Sequence, residues 1–134
     1  MTLDVTLHAI HLLFATFWFG SYMWSEAILW PQMQKAGHLE AVQGGLRSVT
    51  VRQITAIGIV GTILTGYVRG VAGGVFDRLY TPYGAMFLVS AVVGVWMIAW
   101  WSTFPVRSLK WGWRAYYGGF WVLFAMMVGM RFAQ

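Results

Sequence analysis

Residues 83–104 read YGAMFLVSAVVGVWMIAWWSTF and contain no charged side chain. A helix that spans a bilayer needs about 20 mostly apolar residues, so this stretch predicts a transmembrane helix. Three further windows of the chain meet the same requirement, namely residues 5–30, 49–71 and 111–132. We therefore expect four spanning helices in a single domain that covers residues 1–134.

The composition places the chain among the integral membrane proteins. Hydrophobic residues make up 59% of the sequence and charged residues only 10%, against about 25% in a typical soluble domain. So few charged groups cannot cover a small globule, and most of the apolar surface must face lipid or partner proteins. The net charge of +5 fits anchoring at lipid headgroups better than nucleic-acid binding, because the basic residues are scattered around apolar segments. The lack of cysteine excludes disulfides and thiolate metal sites.

The links between the windows are short, so the helices should form an all-α, up-down-up-down four-helix bundle in the membrane. Six basic residues lie on the side of the first and third links and three on the other side: Lys35, Arg47, Arg52, Arg107, Lys110 and Arg114 against Arg69, Arg78 and Arg131. Because cytoplasmic loops carry the excess of Lys and Arg, the chain is predicted to be integral to the cell (inner) membrane with both termini on the outer side. The first window should be retained rather than cleaved as a signal peptide, since its leader carries Asp4 and no basic residue.

The first helix carries a stripe of polar side chains. At about 100° per residue, the residues His8, His11, Trp18, Tyr22 and Glu26 fall on one face. Lipid cannot satisfy their polar groups, so the stripe should face the interior of the bundle. His11 is predicted either to bind a cofactor metal or to be a hydrogen-bonded structural histidine. The same alternatives apply to His8, which lies nearer the surface.

The second helix carries small residues at spacings of three and four: Gly58, Gly61, Thr62, Thr65, Gly66 and Gly70. This pattern usually allows another helix to approach closely. The groove that it forms is also smooth enough to accept a flat macrocycle. Helix packing and a cofactor wall are therefore both open interpretations of this stretch.

A helix rises about 1.5 Å per residue, so the depth of each side chain in the membrane can be counted along its helix. Counted in this way, candidate ligands from all four helices lie at a similar depth, near the outer face. Imidazole and thioether groups suit haem iron and Cu(I), and arginines at the helix ends can pair with carboxylates such as haem propionates. The predicted cofactor-binding residues are His8, His11, Tyr67, Arg69, Met126, Met130 and Arg131. The predicted metal ligands are His8, His11, Met86 and Met130.

The two histidines cannot serve one haem from opposite sides, because His8 and His11 lie three residues apart on one helix. No other predicted helix contains a histidine, so a second axial ligand would be a methionine, water or a group from a neighbouring protomer, or the iron would be five-coordinate. Methionine is also a common filler of apolar cores, which is the alternative interpretation of each methionine.

The string HLLFATFWFG at residues 11–20, followed by Pro31, resembles a superfamily of small membrane proteins. These proteins have a histidine in the leading helix, a tryptophan seven residues later, a nearby glycine and a proline that closes the helix. Arg52 and the pair Thr65-Gly66 are similar to further features of the second helix. The copper-resistance protein D family and the membrane-bound, haem-associated protoporphyrinogen oxidases both look like this over the first half of the chain. The resemblance implies a bundle that holds haem b, with His11 at the ligand position, or one that handles copper with the same histidine.

The protoporphyrinogen oxidases resemble one another in having a lysine in the third helix. The predicted third helix of this chain has no lysine and has Ser90 in that region. The resemblance therefore does not imply oxidase activity. No motif for hydrolase or nucleotide chemistry is present, and no catalytic residue is predicted. The leading expectation is a haem-b protein of electron transfer or haem-linked redox chemistry. The alternatives are a Cu(I) transport or resistance protein and a non-catalytic subunit of a larger respiratory or photosynthetic membrane complex. The expected partners are the lipid bilayer and either such subunits or further copies of the chain.

Overall fold

The computed structural model describes residues 2–104 and 109–133, and this part of the chain consists of helices and short turns, with no β-strand. The helices are α1 (Thr2–Trp24), α2 (Trp30–Lys35), α3 (Leu39–Leu46), α4 (Val49–Ala72), α5 (Pro82–Thr103) and α6 (Lys110–Phe132). A π-helical turn, Ser25–Leu29, joins α1 to α2, and a 3-10 turn, Val75–Arg78, precedes α5. The all-α prediction is confirmed. Arg107, one of the basic residues counted above, lies outside the described residues.

Among the described residues, three helical segments are long and apolar enough to cross a membrane: Leu3–Lys35, Val49–Ala72 and Pro82–Thr103. They match the first three predicted windows and are consistent with a membrane protein. Helix α6 covers the fourth window but is not one of the three. Its apolar stretch is diluted by three basic residues and by Gly, Tyr and Trp, and the two aromatic types favour the membrane interface.

The first helical segment is longer than predicted because Pro31 does not end it. Proline lacks an N–H and its ring clashes with the carbonyl group four residues earlier, so α-helices usually break there. Here the N–H of Trp30 donates to the carbonyl oxygen of Ser25, five residues back, and this wider π-helical turn accommodates Pro31. The segment therefore continues to Lys35, and α3 forms within the link that follows.

Helix α1 packs along α4, and the glycines of α4 bring the two helices close together. A Cβ at Gly58 would lie 2.9 Å from Cδ1 of Phe17, and a Cβ at Gly61 would lie 2.5 Å from Cδ1 of Phe14. The two pairs run in opposite directions along the chain, so the helices are antiparallel. Side chains of α1 thus fill the groove of α4, and helix packing is the interpretation that the structure supports there.

Helix α5 packs along α6, and a buried core joins this pair to α1 and α4. The core comprises Trp18, Ile59, Met97, Trp100, Trp113, Tyr116 and Phe120. Nε1 of Trp18 donates a hydrogen bond to the Tyr116 hydroxyl at 3.0 Å, and the Trp18 and Phe120 rings meet edge to face with centroids 5.0 Å apart. The histidines of α1 lie beyond this core, toward the end where α1 begins and α6 finishes. We call this the N-terminal end of the structure.

Candidate functional site

His11 of α1 is held by Thr65 of α4. Its Nδ1 lies 3.0 Å from Oγ1 of Thr65. The threonine hydroxyl has one proton, which it donates to carbonyl oxygens one turn earlier in the same helix, at 2.6 Å to Gly61 and at 3.3 Å to Thr62. The hydroxyl oxygen therefore accepts from the imidazole, and Nδ1–H of His11 is the donor. This arrangement puts the ring proton on Nδ1 and the lone pair on Nε2.

Gly66 fixes the position of the same ring. A Cβ at this residue would lie 2.9 Å from Cε1 and 3.4 Å from Nδ1 of His11. A side chain at position 66 would therefore push the imidazole away from Thr65. The half-buried ring sits between α1 and α4, as the polar stripe predicts. Its hydrogen bond leaves a lone pair on Nε2, so this bond is compatible with both interpretations of His11.

His8 lies one turn closer to the N-terminal end. Its Nδ1 is buried and has no hydrogen-bond partner among residues 2–104 and 109–133. The charges that act on its ring come from three different helices: Arg69 of α4, Asp4 of α1 and Arg131 of α6. Within the described ranges, Nδ1 of His8 is therefore not held by a hydrogen bond as Nδ1 of His11 is.

A cavity of about 750 Å³ lies at the N-terminal end, where α1, α4, the 3-10 turn, α5 and α6 meet. Three arginines and one aspartate line it: Arg69, Arg78, Arg131 and Asp4. The remaining lining combines polar with apolar groups, and comprises His8, Tyr83, Leu3, Val5, Leu7, Ala72 and Gly73. With His8 neutral, the cavity carries an excess of positive charge. It is suited to an anion.

Arg78 belongs to this cavity and is absent from the site residues that the sequence predicts. Its guanidinium carbon lies 4.7 Å from the centre of the Tyr83 ring, and Nη2 makes a long hydrogen bond of 3.5 Å to the Gly73 carbonyl oxygen. These contacts hold the side chain over the first turn of α5. The count of basic residues on each side of the membrane already grouped Arg78 with Arg69 and Arg131, and that grouping is the signal that could have identified it.

The structure brings together only part of the predicted set. His8, Arg69 and Arg131 line the cavity, whereas His11 is not among the residues that line it. Tyr67 does not line it either, is 52% exposed and packs its ring against Phe76. The sulfur of Met86 packs against α6, where a Cβ at Gly129 would lie 2.5 Å from Sδ. That contact is typical of a methionine that fills a gap between helices. Met126 and Met130 are partly buried on α6 and do not line the cavity.

Within the described parts of the chain, no group of three or more His, Asp or Glu side chains is placed to hold a metal ion. The protein therefore offers no complete set of these ligands for a bare cation in that region. A metal centre held through His11 would need ligands of another kind, such as thioether sulfur or the nitrogens of a macrocycle.

Comparison of the chain with protein-family models, with curated proteins and with solved structures gives no match. The resemblance of the first helix to the copper-resistance protein D and protoporphyrinogen-oxidase superfamily stays a prediction.

Proposed function

We propose that this chain is an integral membrane protein that binds b-type haem through His11 and takes part in electron transfer or haem-linked redox chemistry. The observation that supports this proposal is the hydrogen bond between Nδ1–H of His11 and the Thr65 hydroxyl. Histidines that bind metals almost always donate their second ring N–H to a neighbouring acceptor, which fixes the tautomer and the ring orientation. His11 has this arrangement, with the lone pair on the other nitrogen.

Three residues of this chain would bind the haem or orient its ligand. His11 would bind the iron through Nε2, Thr65 would orient the imidazole, and Gly66 would leave room for the ring. The groove at Gly58 and Gly61 does not fit a macrocycle, because Phe17 and Phe14 occupy it. A bound haem would supply the one-electron redox change.

The proposal includes the membrane arrangement. We place α6 in the membrane as a fourth spanning helix, which completes an up-down-up-down bundle. The bundle would lie in the cell (inner) membrane with both termini on the outer side. The antiparallel contacts of α6 with α5 and α1 support this placement. Met97 packs against Gly119 and Trp18 bonds to Tyr116, so α6 runs along helices that are themselves long enough to span.

An optical spectrum tests the haem proposal directly. The chain is purified in detergent, haem is supplied, and absorption is recorded before and after reduction with dithionite. We expect a Soret band and sharp reduced α bands in the wild type, a strong loss of both in His11→Ala, and a smaller loss in His8→Ala. A spectrum without these bands in the wild type after haem is supplied rejects the proposal. Stoichiometric copper without haem, measured by metal analysis, would instead assign the imidazole to copper.

A further inference from the structure

The arginines of the N-terminal cavity form a group that iron ligation does not require. His11 does not line the cavity, so none of these guanidinium groups is needed to hold a metal at its Nε2. Arg69, Arg78 and Arg131 come from three separate elements, α4, the 3-10 turn and α6, and the fold brings them to one cavity. Like charges that converge in this way repel one another, and a bound anion relieves the repulsion.

The compensation within the cavity is incomplete. Asp4 is the one carboxylate among its lining residues, against three guanidinium groups. One negative charge against three positive charges leaves an excess of two. The planar guanidinium group presents paired N–H donors that match the oxygens of phosphate and carboxylate groups. The cavity therefore has the chemistry of an oxoanion site.

The walls of the cavity point to an amphiphilic anion. Leu3 and Val5 line it and are 70% and 60% exposed, respectively, so apolar surface continues from the cavity to the outside of α1. The arginines lie at or next to helix ends, which is the depth of the lipid headgroups when α1, α4 and α5 span the bilayer. Basic pockets between transmembrane helices are known to hold the headgroups of anionic lipids.

We propose that this cavity binds the phosphate group of an anionic phospholipid, with Arg69, Arg78 and Arg131 as its partners and with Leu3 and Val5 beside the first part of an acyl chain. A zwitterionic lipid such as phosphatidylcholine carries a cation next to its phosphate, which the arginines repel. The site therefore selects lipids with a net negative headgroup. This inference goes beyond the proposed function, because the lipid contacts no iron and binds whether or not haem is present.

Native mass spectrometry of the full-length chain tests the proposal. The protein is purified in detergent without haem, and either phosphatidylglycerol or phosphatidylcholine of the same acyl composition is added. We expect the wild type to retain phosphatidylglycerol in preference to phosphatidylcholine. Arg78→Gln should weaken phosphatidylglycerol binding by about 10-fold or more, since a hydrogen bond to a charged group contributes at least this factor in binding. Arg131→Gln should have the same effect.

Arg114→Gln is the matched control. Arg114 lies on α6 as Arg131 does, is exposed, and carries the same charge, but does not line the cavity. Arg78 is also exposed and lies in a turn, so its replacement should leave the fold intact, and a circular dichroism spectrum checks this. Equal lipid retention in Arg78→Gln, Arg131→Gln and Arg114→Gln would overturn the proposal.

Two further arms identify the source of the anion. Inorganic phosphate that displaces phosphatidylglycerol at a similar concentration would show that the acyl chain contributes nothing, which overturns the assignment to a lipid. Dodecanoate that binds as tightly as phosphatidylglycerol would overturn the assignment to phosphate and favour a carboxylate such as that of haem. Retention of phosphatidylglycerol against both competitors supports the proposal, and this result does not depend on whether any haem spectrum appears.

Discussion

Replacing Thr65 with valine tests the geometry on which the haem proposal depends. The two side chains have nearly the same shape, so Thr65→Val removes a hydroxyl without opening a large cavity. The variant loses the hydrogen bond from the hydroxyl to the Gly61 carbonyl oxygen at 2.6 Å, a longer one to the Thr62 carbonyl oxygen at 3.3 Å, and the one from Nδ1–H of His11 at 3.0 Å. The first two bonds are local to α4, and the third joins α1 to α4. This third bond is the one that orients the imidazole.

Thr62→Val is the matched control for the local bond. The Thr62 hydroxyl donates to the carbonyl oxygen of Gly58 at 2.7 Å, one turn earlier in α4, as the Thr65 hydroxyl does to Gly61. The difference between the two variants is therefore dominated by the contact with His11, since the additional local bond of Thr65, to the Thr62 carbonyl oxygen, is long at 3.3 Å. Hydrogen bonds between membrane helices contribute about 0.6 kcal/mol on average and up to about 1.7 kcal/mol. We expect Thr65→Val to lower the free energy of unfolding by about this amount more than Thr62→Val.

The same pair of variants separates a structural role of the hydrogen bond from a role in ligand binding. Groups that orient a metal ligand typically contribute about 10- to 100-fold in metal affinity. Haem titration followed at the Soret band should therefore show weaker binding by about this factor in Thr65→Val, and little change in Thr62→Val or Thr65→Ser. Equal haem affinity in Thr65→Val and Thr62→Val, with both variants folded, would contradict the claim that the Thr65 hydroxyl orients His11 for haem binding.

Two predictions concern the packing of the helices. Gly66→Ala places a methyl group 2.9 Å from Cε1 of His11. Because this overpacks the helix contact, we expect thermal unfolding in detergent to show a free energy of unfolding lower by about 1–3 kcal/mol. The control Gly20→Ala has open space around its Cβ and should be neutral or slightly stabilising. Tyr116→Phe leaves the buried Nε1–H of Trp18 without its acceptor, and the same measurement should show a loss of about 0.6–1.7 kcal/mol. An unchanged midpoint in Tyr116→Phe would mean that the indole finds another partner.

The hydropathy of the sequence predicts the helices because each spanning segment is a long apolar run without internal competition. Residues 49–71 and 83–104 were predicted as spans and coincide with α4 and α5 to within a residue. The first helix was predicted less well, since the rule that proline ends a helix does not include the π-helical turn that accommodates Pro31. Helix α3 lies in a polar link and was not predicted at all, because eight residues are too few for a hydropathy pattern to stand out.

The sequence predicts some residues of the candidate site, His8, Arg69 and Arg131 among them, but not how the fold brings them together. The inward orientation of His11 follows from helical periodicity, and the two alternatives for the glycines of α4 were both physically sound. Nothing in the sequence tells that Phe14 and Phe17, rather than a cofactor, fill the groove, since this depends on the rotation of α1 against α4. Similarly, Arg78 joins Arg69 and Arg131 only because the 3-10 turn brings it beside Tyr83.

His11 would have two roles in this arrangement, helix packing and ligand binding, and substitution by alanine cannot separate them. Lipid offers no hydrophobic force that draws helices together, so close packing and hydrogen bonds must hold α1 on α4. The imidazole contributes to both, through its contact with Gly66 and its bond to Thr65, and His11→Ala therefore loses helix packing together with any ligand. His11→Gln is the more informative change, because an amide keeps an N–H donor for Thr65 but has no basic nitrogen for iron. A variant that retains its unfolding temperature and loses the Soret band would locate the function in the lone pair of Nε2 rather than in the helix contact.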